Sequence, residues 1–235
     1  EASDIVLADD NFASLIDAVE EGRVVFTNTR QASAFLITTN LAEYLVIIIS
    51  IAFGLPLPLI ASQILWVNLV TDGLVDMPLA FEPGHGDVLN QKPRAKDENI
   101  LSKEMLGFLA PIVLCMVISS LWMFVDLLPQ GIEKARTGTF LVICLTQLIN
   151  IFNMRSFDRS LFSIGFFSNK YLLAAVLGSL IILYLALTNE FLVNIFSFVP
   201  LDRREVIEAI ALSSLVLVVG ELYKLRQNSI NKNKV

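Results

Sequence analysis

The sequence has little charge and no excess of basic residues. Only 17% of its 235 residues are charged and 55% are hydrophobic, whereas soluble domains are about 25% charged. The 17 Lys and Arg residues are outnumbered by 23 Asp and Glu residues, so the net charge is −6. A chain of this charge offers no basic field to a nucleic-acid backbone. The composition therefore excludes disorder and collagen-like repeats, and we expect no nucleic-acid partner.

Cysteine and histidine are also scarce. Cys115 and Cys144 lie in different apolar runs, and His85 lies alone in the turn-rich segment PGHGD. Because no CxxC motif or Cys/His ligand spacing is present, the sequence predicts neither a disulfide framework nor a zinc site. No signal peptide opens the chain at Glu1, and we expect it to begin within a domain.

Long apolar runs fill most of the chain. Each is close to the roughly 20 residues that a bilayer requires. They lie at 33–53, 59–81, 107–128, 139–154, 171–188 and 206–224. The fourth run is the shortest and carries several polar residues, which inside a membrane usually face protein. The sequence therefore predicts an all-α polytopic membrane protein with six transmembrane helices.

A short polar stub precedes the first span. The run Ile5-Val6-Leu7 favours a strand, and Asp10 or Asn11 is placed to cap a following helix. This α/β segment is too small to fold as a domain. Because residues 20–40 contain no proline, we expect one long helix to continue from water into the bilayer.

The basic residues predict the orientation. With both termini and the loops 82–106 and 155–170 in the cytoplasm, thirteen of the 17 Lys and Arg residues are cytoplasmic and four are outside. This distribution follows the positive-inside rule. Both termini are therefore predicted to be cytoplasmic, and loop 82–106 is long enough to reach far into water.

Polar residues at helical spacing lie inside the first two spans. Asn40 and Glu43 are three residues apart, and Asn68, Thr71 and Asp72 follow an i, i+3, i+4 pattern. Each carboxylate costs roughly 2.5–3.5 kcal/mol at mid-bilayer. No Lys or Arg lies in the centre of either span, so a mobile cation is the natural countercharge. Oxygen ligands favour a hard cation such as Ca²⁺.

Two alternatives remain at this point. A single Asn or Thr in a span commonly makes an interhelical hydrogen bond instead of binding an ion. Asp76 lies four residues beyond Asp72 and could add a carboxylate, but it is near the end of its span and Pro78. We expect Asp76 to be solvated or to cap a helix.

Four segments of the sequence carry a resemblance to a known family: ASDIVLADDNFASLIDAVEEGR, TTNLAEY, LWVNLVTDGL and FEPGHGDVLNQKPR. They resemble type II P-type cation-transporting ATPases, the group that includes Ca²⁺ pumps. The segment ASDIVLADDNFASLIDAVEEGR resembles the end of the phosphorylation domain. The segments TTNLAEY and LWVNLVTDGL resemble the fifth and sixth membrane helices, and FEPGHGDVLNQKPR resembles the loop that follows. The resemblance implies that residues 1–22 end the phosphorylation domain and that residues 23–235 form the transmembrane transport domain.

The resemblance also implies a ligand set for a metal ion. It comprises Asn40, Glu43, Asn68, Thr71, Asp72 and Gln147, with Asp76 as a further candidate. Gln147 aligns with the eighth helix, where the Ca²⁺ pump has glutamate. Because glutamine is neutral, two carboxylates remain in this chain, which suits one divalent cation, Ca²⁺ or Mn²⁺, per cycle. A pump for a monovalent cation (Na⁺, K⁺ or H⁺) is the main alternative.

The family's catalytic motifs are absent from the sequence. Neither the DKTG aspartate nor the Mg²⁺-binding GDG segment occurs, so no catalytic or nucleotide site is expected in this chain. The resemblance implies that ATP and Mg²⁺ bind in a missing N-terminal part, with the fourth helix and the phosphorylation and nucleotide domains. The partners are then that part and the lipid bilayer, in the cell membrane. The rival hypothesis is a non-enzymatic six-span exchanger or channel, although no inverted repeat is visible.

Overall fold

The computed structural model describes residues 12–85, Leu89 and 102–232. Six segments in this part of the chain are long and apolar enough to cross a membrane, which confirms the predicted all-α architecture. They are Ala13–Ala52, Ala61–Phe81, Met105–Gln130, Ile132–Met154, Lys170–Thr188 and Arg203–Ile230. The strand predicted at 5–7, the helix cap at Asp10 or Asn11 and most of loop 82–106 lie outside the described residues.

The helices are numbered in chain order. They are α1 (Phe12–Ala52), α2 (Ala61–Trp66), α3 (Gly73–Val75), α4 (Lys103–Leu127), α5 (Ile132–Met154), α6 (Leu161–Ile164), α7 (Lys170–Thr188), α8 (Glu190–Phe196) and α9 (Arg203–Lys232). A π-helical segment, Val67–Asp72, joins α2 to α3, and 3₁₀ helices span Met77–Phe81 and Leu128–Gln130.

The first span is part of one uninterrupted helix. α1 has 41 residues and is therefore about 60 Å long at 1.5 Å per residue. A bilayer's hydrocarbon core is about 30 Å thick, so α1 extends well beyond the membrane. The helix is followed by Gly54, whose φ of +69° lies in the left-handed region, and then by Pro56 and Pro58. These residues turn the chain back into the second span.

The second span changes its winding midway. The α-helical hydrogen bonds of α2 give way to a π-helical segment of six residues, after which the chain returns to α3. Three predicted ligands, Asn68, Thr71 and Asp72, lie in this π-helical segment. π-Helical turns are rare and occur mostly at functional sites.

The fourth span, α5, is the central helix. In its most apolar window 89% of the residues are buried, against 28% to 56% in the other spans. Its predicted start at Thr139 is wrong, because α5 begins at Ile132. The charged residues of its first two turns lower the local hydropathy, yet the two basic ones have partners. Lys134 Nζ lies 2.7 Å from Glu205 Oε1, and Arg136 Nε donates to the carbonyl oxygen of Leu57 at 3.0 Å.

Two apolar clusters form the core, and a polar layer separates them along two elements. On α5 one cluster ends at Cys144 and the other begins at Leu148, so Gln147 lies between them. On the second span, Val67 belongs to one cluster and Val75 to the other. Most of the intervening residues, 68–72, belong to the π-helical segment. The fold therefore places the polar residues of the second span and of α5 at the same level.

Candidate cation site

Glu43 joins three elements. Its side chain on α1 is buried, at 3% exposure. Gln147 Nε2 on α5 donates to Glu43 Oε1 at 2.6 Å, and Asn68 Nδ2 on the π-helical segment donates to Oε2 at 3.1 Å. The structure therefore brings together one predicted ligand from each of three spans.

Asp72 lies in the same layer and is 2% exposed. Thr39, one residue before Asn40 on α1, donates its hydroxyl hydrogen to Asp72 Oδ2 at 2.9 Å. Sequence reasoning missed Thr39, although it lies four residues before Glu43 and so on the same helical face. The candidate site comprises Thr39, Glu43, Asn68, Asp72 and Gln147.

The π-helical winding separates the directions in which its residues point. Asn68 and Asp72 contact α1, through Glu43 and Thr39 respectively. Thr71 instead faces α5, where its hydroxyl donates to the sulfur of Cys144 at 3.6 Å. Asn68, Thr71 and Asp72 therefore do not share the single face that the sequence predicts. The π-helical segment contacts α1 through Asn68 and Asp72 and α5 through Thr71.

Two buried oxygen atoms in the candidate site accept no hydrogen bond in the described structure. They are Asp72 Oδ1 and Gln147 Oε1. Leaving a buried acceptor without a donor is costly, and such atoms call for a water molecule or an ion. Carboxylate and amide oxygens are the donor atoms that Ca²⁺ accepts, so the available chemistry suits a hard cation.

Neither carboxylate of the candidate site has a basic partner among the described residues. The acidic residues that do form ion pairs in the described structure lie outside the candidate site. They are Glu82, Asp202, Glu205 and Glu221. No three His, Cys, Asp or Glu residues of the described ranges come close enough to hold a metal by themselves. A cation at this position would therefore take amide and hydroxyl oxygens as well as the two carboxylates.

Two residues of the predicted set stand apart from these contacts. Asn40 is partly exposed, and its amide donates to the carbonyl oxygen of Leu36 in the same helix at 2.7 Å. Asp76 is half-buried and precedes the 3₁₀ helix Met77–Phe81 without a side-chain capping bond. Its Oδ1 is buried without a partner in the described structure. Hydrogen bonds thus join Glu43 to Asn68 and Gln147, and a separate hydrogen bond joins Asp72 to Thr39 on α1.

Comparison with known proteins places this arrangement in a family. Residues 56–226 match the family described as the C-terminus of cation-transporting ATPases. Calcium-transporting ATPase 1 of Bacillus cereus is 34% identical in an alignment that covers 97% of this chain and 28% of that protein. The calcium-transporting ATPase of Bacillus subtilis is 35% identical over 94% of the chain, and calcium-transporting ATPase 1 of Saccharomyces cerevisiae is 34% identical over 96%.

The chain spans about a quarter of the length of these relatives. The family match covers the last five of its six spans, and the matches to the relatives extend over nearly the whole chain. The chain therefore belongs to the cation-transporting ATPase family and corresponds to its C-terminal membrane region.

Proposed function

We propose that this chain is the cation-binding membrane part of an ATP-driven pump that exports one divalent cation, Ca²⁺ or Mn²⁺, per cycle. The observation that carries the proposal is the pairing of Glu43 with Asn68 and Gln147, beside an Asp72 that has a buried unpartnered oxygen. Two buried carboxylates without a basic partner in the described structure need positive charge close by. A transported cation supplies it.

The charge of the candidate site supports one divalent ion. Glu43 and Asp72 together carry two negative charges when ionised, and Gln147 contributes none. Several relatives are named calcium-transporting ATPases, which favours Ca²⁺ as the substrate. Asn40 and Thr71 would complete the oxygen ligands after small side-chain rotations, with Asp76 as a further carboxylate at the edge.

The remaining parts of the pump would lie before this chain. In this proposal the missing region supplies the fourth helix and the phosphorylation and nucleotide domains, where ATP and Mg²⁺ bind. Residues 1–22 end the phosphorylation domain, and residues 23–235 form the transport domain. α1 then carries movement from the aqueous domain to Glu43, because it is one continuous helix of 41 residues. Both termini face the cytoplasm, and the pump resides in the cell membrane.

Phosphorylation of the full-length protein by ATP, measured separately with Ca²⁺, Mn²⁺, Na⁺ and K⁺, tests the proposal. Ca²⁺ or Mn²⁺ is expected to support it in the wild type, and Glu43→Gln and Asp72→Asn are expected to abolish that dependence. Glu133→Gln, at an exposed carboxylate in the first turn of α5, is the control and is expected to behave as the wild type. Dependence on Na⁺ or K⁺ alone, or normal Ca²⁺ dependence in both site variants, would overturn the proposal.

A further inference from the structure

A second buried polar cluster lies at the end of the second span that is nearer the cytoplasm in the proposed orientation. Its members, here the Glu82 cluster, are Glu82, His85, Arg155, Ser168 and Asn169. Arg155 Nη2 lies 2.7 Å from Glu82 Oε1, and the two side chains are 0% and 1% exposed. Arg155 Nε donates to the same oxygen at 2.9 Å. The pair is therefore a fully buried salt bridge.

The remaining polar atoms of Glu82 and Arg155 also have hydrogen-bond partners. Glu82 Oε2 accepts from Asn169 Nδ2 at 2.7 Å, and His85 Nε2 lies 2.9 Å from Glu82 Oε1. Arg155 Nη1 donates to the carbonyl oxygens of Gly165 and Phe166, and Nη2 donates to the hydroxyl of Ser168. Arg155 thus uses its whole guanidinium group within the protein.

A buried salt bridge is weak evidence for stability, because desolvation offsets much of the attraction between the charges. What such a pair supplies is a defined geometry, since the planar guanidinium group and its partners accept only one arrangement.

The Glu82 cluster is connected to the candidate site through the second span. Asp76 N donates to the Asp72 carbonyl at 3.1 Å, Leu79 N to the Asp76 carbonyl at 3.0 Å, and Glu82 N to the Leu79 carbonyl at 3.1 Å. Three consecutive backbone hydrogen bonds therefore lead from Asp72 to Glu82. A shift of Glu82 along the span axis would be transmitted to Asp72.

The other two elements of the candidate site are held by the same cluster. Arg155 follows directly on the end of α5, eight residues and about 12 Å from Gln147 in the same helix. On α1, Gln31 Nε2 donates to the Arg155 carbonyl at 2.8 Å. Asn28 Nδ2 donates to the Glu82 carbonyl at 2.9 Å.

We propose that Glu82 and Arg155 are positioning residues for cation binding. By locking the middle of α1, at Asn28 and Gln31, to the ends of the second span and α5, they set the axial register at which Glu43, Asp72 and Gln147 meet. The inference rests on the proposed function of the site. The salt bridge between Glu82 and Arg155 lies outside the site and increases the affinity of the site for its cation. Neither residue contacts the cation.

The first test measures the cation concentration that half-saturates phosphorylation of the full-length protein. Glu82→Gln and Arg155→Lys are expected to raise it about twofold to thirtyfold, with little change in the maximal phosphorylation level. Lysine keeps the charge but lacks the planar fork of donors. The two substitutions combined are expected to have less than the product of their single effects, because both break the same interaction.

A second buried pair provides the matched control. Glu221 and Lys224 on α9 are 3.2 Å apart, and Glu221 also accepts from the backbone of Leu161 at 3.0 Å. α9 carries none of the predicted ligands. Glu221→Gln therefore removes a buried charge of the same kind and is expected to leave the half-saturating concentration unchanged. An equal shift in Glu221→Gln and Glu82→Gln would mean general loosening and would overturn the inference.

A distance measurement tests the register without transport. Spin labels at Ile48 on α1 and Leu69 on the π-helical segment, both exposed on the protein surface, report the position of one span against the other. In the full-length protein with Cys115, Cys144 and any cysteine of the preceding region replaced by serine, Glu82→Gln is expected to broaden or shift the distance distribution, whereas Glu221→Gln is not. Identical distributions in all three proteins would overturn the inference. A wild type without cation-dependent phosphorylation would instead count against the proposed function alone.

Discussion

At position 147 the choice between an amide and a carboxyl group decides how Glu43 is held. The Gln147 amide donates a hydrogen bond to Glu43 at 2.6 Å, which an ionised glutamate at the same position could not do. The amide leaves its own oxygen without a donor in the described structure. Gln147 thus positions one carboxylate and adds an oxygen atom without charge, and in the proposed function that oxygen is a neutral ligand beside two carboxylates.

Asn153 and Gly220 show how closely α5 and α9 approach. A Cβ atom at Gly220 would overlap Oδ1 and Cγ of Asn153. Asn153 is fully buried and donates to the Val216 carbonyl at 2.9 Å, so it has little freedom to move aside. We expect Gly220→Ala to lower the free energy of unfolding by about 1–3 kcal/mol, as overpacked core substitutions do.

Thermal unfolding in detergent checks this prediction, and Gly178 provides the control. Gly178 lies inside α7, and a Cβ atom there would meet nothing within 4 Å. Gly178→Ala is expected to be neutral or to stabilise the protein by up to about 1 kcal/mol through helix propensity. A melting temperature for Gly220→Ala at or above that of the wild type would contradict the close packing.

Single-helix spacing revealed part of the candidate site, and contacts between helices account for the rest. Glu43 and Asp72 stood out because a carboxylate in an apolar run is costly wherever the helices pack. Thr39 carried no such signal, since a threonine in a span is common, and its contact with Asp72 depends on how α1 meets the π-helical segment. From the sequence Arg155 is only one of the basic residues that predict the orientation, whereas in the structure its side chain is fully buried.

At the scale of elements, apolar runs predicted how many helices cross the membrane but not where each begins. A hydropathy window averages over the charged first turns of α5. The apolar run therefore begins near Thr139, although the helix begins at Ile132. The π-helical winding of the second span was also beyond prediction. The spacing of its polar residues predicts one face of an ordinary α-helix. The contacts of these residues with α1 and α5, which accompany the π-helical winding, are not visible in the sequence.

The Glu82 cluster predicts that the free energy of unfolding depends on pH. Burial by itself raises the pKa of the Glu82 carboxyl, but hydrogen bonds from His85, Arg155 and Asn169 and the charge of Arg155 together hold the pKa below its ordinary value of 4.5. A carboxyl whose pKa is lowered by folding stabilises the protein above its unfolded pKa. That contribution is lost as the pH falls through the folded pKa.

Urea unfolding of the wild type and Glu82→Gln over a range of pH tests this prediction. The wild type is expected to be more stable at neutral pH, and its advantage is expected to shrink as the pH falls below 4.5. An advantage that stays constant through the acidic range, or grows there, would contradict the assigned cause.

For the whole molecule, the distribution of basic residues predicts the side of the membrane on which each loop lies. In the proposed orientation α8 is outside and the loop after α5 is cytoplasmic. In the full-length protein with Cys115, Cys144 and any cysteine of the preceding region replaced by serine, a membrane-impermeant maleimide applied to intact cells is expected to label Asn194→Cys, at an exposed position in α8. Arg159→Cys, exposed in the loop after α5, is expected to react only after permeabilisation. The reverse pattern would contradict the orientation.

The central claim is that one divalent cation neutralises Glu43 and Asp72, and equilibrium binding of radioactive Ca²⁺ or Mn²⁺ to the full-length protein tests it most directly. One ion per protein molecule is predicted for the wild type, and loss of that ion is predicted for Asp72→Asn, whose carboxylate is buried at 2% exposure. Two ions per molecule, or undiminished binding in Asp72→Asn, would contradict the account.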